Sequence, residues 1–122
     1  MELYNQPTQT GELVAVILRS VLTYLPGFLE KLSRKADIGI KDLDLLVLHQ
    51  ASSFSLNAVQ KHLGFAPDKL IRIFAEYGNQ IAASIPHTLD RAITSHRLKR
   101  GDRFLMLGTS AGISFGGLVV EY

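Results

Sequence analysis

The sequence predicts one three-layer α/β domain, a mixed β-sheet with helices on both faces, and three observations carry that expectation. Leu45-Leu46-Val47-Leu48 is a run of four aliphatic residues with no polar alternation. Such a strand is covered on both sides, as in the parallel sheets of α/β domains. Segments of helical and strand character follow one another along the chain as helix, strand, helix, strand, helix and two strands, which gives layered helices and sheet. His49 directly follows the first strand, at the carboxyl edge where loops line the crevice of an open α/β sheet.

Composition narrows the class. A chain of 122 residues builds one compact domain with a real core, not two. With 47% apolar and 20% charged residues it falls among ordered globular domains. The net charge is +2 and the basic residues are scattered, so no nucleic-acid footprint stands out. Cysteine is absent, which excludes a disulfide, a thiolate metal site and a cysteine nucleophile on this chain. The apolar run 13–18 meets Arg19 too soon to cross a bilayer or serve as a signal segment. The expectation is a soluble, cytoplasmic protein without a membrane partner.

In chain order, residues 1–10 are polar, and Asn5-Gln6-Pro7-Thr8 reads as an irregular lead-in to a domain over 11–122. Val14, Ile17, Leu18, Val21, Leu22, Leu25, Phe28, Leu29 and Leu32 recur at the three- and four-residue spacing of an amphipathic helix. Thr10 suits its N-cap, Lys31, Arg34 and Lys35 suit its C-terminus, and Pro26-Gly27 should kink or break it. Ser52 or Ser53 caps a helix over 53–62 that Gly64 closes. Residues 70–74 read as a second strand, parallel to the first. Gly78 is expected at positive φ, with Asn79 capping a helix over 80–96. The opening of that helix, 81–85, has no charged face; such a start usually packs between layers, and with a single sheet face to cover it this chain should expose it as an apolar patch. A third strand over 103–107, a tight small-residue turn over 108–112 and a last strand over 113–122, bulged at Gly116-Gly117, complete the chain.

If the third strand lies parallel on the other side of the first, the loops after His49, before Asn79 and around Gly112 meet at one edge. They bring together an imidazole, a carboxamide and a bare backbone loop. Each has an ordinary structural role too: a strand-end histidine bonded to a carbonyl, an asparagine N-cap, and a hairpin that lacks the end of a phosphate loop. His62 and His96 lie near helix C-termini, where the residue is mildly stabilising. No pair of histidines has metal-ligand spacing, so no metal is expected.

His49-Gln50-Ala51-Ser52, Tyr77-Gly78-Asn79-Gln80-Ile81-Ala82-Ala83-Ser84-Ile85-Pro86 and Gly112-Ile113-Ser114-Phe115-Gly116 resemble the C-terminal half of β-ketoacyl-acyl-carrier-protein synthase III, a thiolase-like family. The resemblance implies half of a thiolase-like fold, whose Cys-bearing N-terminal half is absent from this sequence. In that family the cysteine takes an acyl group from a thioester, and a His and an Asn stabilise the enolate formed when a malonyl thioester loses carbon dioxide. Those roles fall on His49 and Asn79, with an oxyanion N–H on Gly112. Lys61 matches a position that helps dock the acyl carrier protein, whereas Phe54 stands where an arginine would be expected. The resemblance implies coenzyme A and carrier-protein thioesters as substrates, no cofactor, and a homo-oligomer. A non-catalytic partner or remnant of a condensing enzyme, or half of a polyketide or hydroxymethylglutaryl-type synthase, remain the alternatives.

Overall fold

The computed structural model describes residues 7–110 and 113–122, with the backbone alone for 7–15. Helix α1 spans Pro7–Ala36. It runs unbroken past Pro26, the expected break point, because packing against the sheet outweighs one missing hydrogen bond. Thr10 lies inside this helix, not at its cap. Residues 1–6 of the expected lead-in lie outside the described residues. Strand β1 is Leu45–Leu48, buried at every position, as the uninterrupted aliphatic run requires.

Helix α2, Ser53–Leu63, begins at Ser52, whose Oγ accepts the Ser55 N–H at 3.0 Å, and ends at Gly64. The expected second strand over 70–74 is reduced to one parallel bridge, Leu46 to Leu70. A competing acceptor explains this: the side-chain oxygen of Gln50 takes the N–H groups of Ile73 and Phe74, which therefore have no need of a strand partner. Phe74 opens a short helix α3, Phe74–Tyr77. Helix α4, Ser84–Thr94, starts later than expected, after a 3₁₀ turn at Ile81–Ala83. Asn79 does not cap it; its Oδ1 accepts the Ile81 N–H instead.

Strands β2, Arg103–Ser110, and β3, Ser114–Glu121, form an antiparallel hairpin, and β1 pairs parallel with β2 in the order β1-β2-β3. Gly108 and Thr109 belong to the ladder, so the turn is shorter than expected. No bulge interrupts Gly116 and Gly117, which pair in register with Gly108 and Leu107. Gly117 answers a packing need: a Cβ there would lie 3.1 Å from Phe28 Cε1 and 3.2 Å from Leu32 Cδ2. Glycine lets α1 lie close on β3, with Phe28 stacked on Phe115 at 5.6 Å.

Two apolar clusters form, one on each face of the sheet. Leu46, Leu48, Leu105 and Leu107 pack against Val21, Leu25 and Leu29 of α1 and Leu56 of α2. Leu45, Val47 and Phe104 pack against Ala92 of α4, with Ile71, Ile73 and Leu98. The period-2 alternation of strand side chains sends successive residues into opposite clusters, so the three layers follow from the sequence of β1 and β2.

Candidate active site

β1 ends at Leu48, and the next residue, His49, donates its backbone N–H to the Leu107 carbonyl at 2.9 Å. The parallel ladder thus extends one residue past the strand and fixes the backbone that carries the imidazole. His49 is half-buried. Behind it, α1, α2 and the strand ends enclose an apolar cavity of about 360 Å³ whose lining includes His49, Ser55, Asn79, Leu107 and Thr109.

Asn79 reaches that cavity through a local device. Gly78 takes φ 69° and ψ −164°, a conformation open to glycine, and so ends α3 by turning the chain sharply. Asn79 Oδ1 then accepts the Ile81 N–H at 2.9 Å. That bond holds the oxygen toward the turn and leaves both N–H donors of the carboxamide available. The turn is strained, since Ile81 is a β-branched residue at φ 53° and such residues rarely enter the left-handed region. Beside it, His87 Nδ1 lies 2.7 Å from Gln80 Oε1 and its ring sits 4.4 Å from that of Tyr77, bracing both ends of the Gly78-Asn79 segment.

Of the residues expected at the site, His49 and Asn79 line one cavity. Gly112 lies outside the described residues. Lys61 is exposed on α2, and Phe54, about two turns earlier on the same helix face, is 70% exposed. Ser55 and Thr109 were not singled out from the sequence. Ser55 follows from helical spacing after Ser52, but nothing in a strand-like stretch marks Thr109. As expected of a chain with a single sheet to cover them, Ile81, Ala82 and Ala83 are exposed, Ile81 at 76%, whereas Ser84 is buried. Ile81 and Ala82 adjoin His49 and Ile85 along an open groove over Gly108 and Gly116.

An α/β half-domain of this shape is found in thiolase-type enzymes. A variant of OleA from Xanthomonas campestris matches with a TM-score of 0.85 at 28% identity, over 89% of this chain and 33% of its own. FabH of Pseudomonas aeruginosa, a 3-oxoacyl-(acyl carrier protein) synthase III, matches with a TM-score of 0.81 at 26% identity, over 88% and 34%. Within that class the sequence is more specific, for residues 33–122 match the family described as 3-Oxoacyl-[acyl-carrier-protein (ACP)] synthase III C terminal. The chain belongs to this family. Beta-ketoacyl-[acyl-carrier-protein] synthase III of Microcystis aeruginosa is 38% identical over 106 residues, 87% of this chain and 32% of its own length. The protein of the same name from Desulfitobacterium hafniense is 42% identical over 88 residues, 72% and 27%. The chain therefore spans about a third or less of the curated relatives it matches.

Proposed function

We propose that this chain supplies the His/Asn half of a 3-oxoacyl-ACP synthase III-type condensing enzyme, which joins an acyl thioester to malonyl-ACP in fatty acid synthesis with loss of carbon dioxide. The observation that carries the reading is the shared cavity of His49 and Asn79. Loss of carbon dioxide from a malonyl thioester leaves an enolate, with negative charge on the thioester oxygen. Two neutral donors aimed at that oxygen in an apolar, water-poor setting are the chemistry that stabilises it. The Asn79 carboxamide, its oxygen already held by Ile81, offers its N–H groups, and a neutral imidazole at His49 offers the other. An N–H of Gly112 would serve the acyl-transfer oxyanion.

Covalent acyl transfer needs a nucleophile, and this chain has no cysteine. The thiol therefore comes from a Cys-bearing N-terminal half, with which this chain would act in the cytoplasm as part of a homo-oligomer. Lys61, exposed on α2, would meet an acidic acyl carrier protein; the apolar Phe54 near it favours a weaker carrier contact and some use of coenzyme A thioesters. No cofactor enters this chemistry. The test is reconstitution: this chain combined with a Cys-bearing half from a related synthase should condense an acyl thioester with malonyl-ACP or malonyl-coenzyme A. A correctly assembled pair that binds both thioesters yet forms no 3-oxoacyl product would overturn the reading.

A further inference from the structure

Gln50 follows His49 and is fully buried. A primary amide carries two donor hydrogens and an oxygen with two lone pairs, and burying it is tolerable only when these are matched. All four are matched here. Oε1 accepts the N–H of Ile73 at 2.9 Å and of Phe74 at 3.0 Å. Nε2 donates to the Ile71 carbonyl at 2.7 Å and to Thr88 Oγ1 at 3.3 Å. Thr88 spends its own hydrogen on the Ser84 carbonyl at 2.7 Å, which leaves its oxygen to accept and fixes the orientation of the Gln50 amide. The Gln50 backbone N–H in turn donates to Ser84 Oγ at 2.9 Å.

The partners of this one residue lie in two separate places, the segment 71–74 that leads into α3, and α4. Ile73 and Phe74 open α3, a helix of four residues too short to hold itself, whose first N–H groups have no partners within it. α3 ends at Gly78, and the next residue is Asn79. Ser84 and Thr88 belong to α4. We propose that Gln50 is a positioning residue: its amide caps α3 from the end of β1 and thereby sets where Asn79 stands relative to His49. The inference rests on the reading above that these two act as a pair, but its test does not use catalysis, so the two can fail separately.

The test is amide hydrogen exchange and nitrogen-15 NMR on the 122-residue chain. Gln50→Met should speed exchange at Ile73 and Phe74 about tenfold or more, the loss of one hydrogen bond's contribution. It should also shift the Asn79 side-chain amide and the Ile81 N–H, while Leu105 and Val119 in the β2–β3 ladder keep their rates. Unmoved Asn79 and Ile81 signals in a folded Gln50→Met chain would overturn the proposal. Gln50→Glu, whose carboxyl burial favours in its neutral form, keeps an oxygen for both N–H groups and an O–H for the Ile71 carbonyl, and should restore slow exchange at Phe74 together with the parent Asn79 signals. Should Gln50→Met not fold, Gln50→Glu decides: slow exchange at Phe74 with displaced Asn79 signals would refute the coupling.

Discussion

The backbone N–H of His49 and the carbonyl of Leu107 lie 2.9 Å apart, so the candidate imidazole is carried by sheet and not by a free loop. Backbone pairing, not the side chain, holds this position. His49→Ala should therefore leave the fold intact, with a stability change within about 0.5 kcal/mol, as for a substitution that disturbs no core contact. Thermal unfolding followed by circular dichroism checks this; a large loss of melting temperature would mean that the ring has a structural role.

Gly117 should be intolerant for a steric reason. A Cβ there meets Phe28, Leu32 and the Met106 carbonyl within 3.3 Å, and Gly117→Val adds two further methyl groups. The expected cost is about 1–3 kcal/mol, the usual range for overpacking, read as a lower denaturation midpoint. An unchanged midpoint would show that α1 does not pack closely on β3.

Much of this architecture was legible because local signals and packing agree. The aliphatic run of β1, the Ser52 and Gly64 caps of α2, and the positive φ of Gly78 each follow from residue chemistry alone. His49 and Asn79 were legible as site candidates because a strand end and a glycine turn place them on the same edge. The two misreadings nearest the site share one cause, a side chain that takes over a backbone hydrogen bond. The amide of Gln50 replaces a strand partner for Ile73 and Phe74, and that of Asn79 claims the Ile81 N–H and delays α4 to Ser84. Local pattern carries no sign of a bond made across 23 residues.

The exposed turn beside the site should make the chain self-associate. Ile81 is 76% exposed, and Ala82 and Ala83 are exposed beside it. Contiguous apolar surface of this kind marks an interface or an aggregation liability, and small residues allow close approach. Light scattering should show a concentration-dependent increase in mass that Ala83→Glu suppresses. A chain that stays monomeric at high concentration, with or without that charge, would contradict this.

The purified chain alone should form no 3-oxoacyl thioester, since it contains no cysteine to hold the acyl group. Product analysis by mass spectrometry after incubation with an acyl thioester and malonyl-coenzyme A checks it. Condensation by the isolated chain would require a nucleophile other than a thiol.

The most direct measurement of the central claim separates the two half-reactions in the assembled enzyme. His49→Ala and Asn79→Ala should each lower malonyl decarboxylation by about a hundred- to a thousandfold, the usual loss for one oxyanion donor, while self-acylation of the partner half's cysteine proceeds at close to the parent rate. Normal decarboxylation in both variants, with the defect confined to acylation, would contradict the assignment of His49 and Asn79 to the enolate.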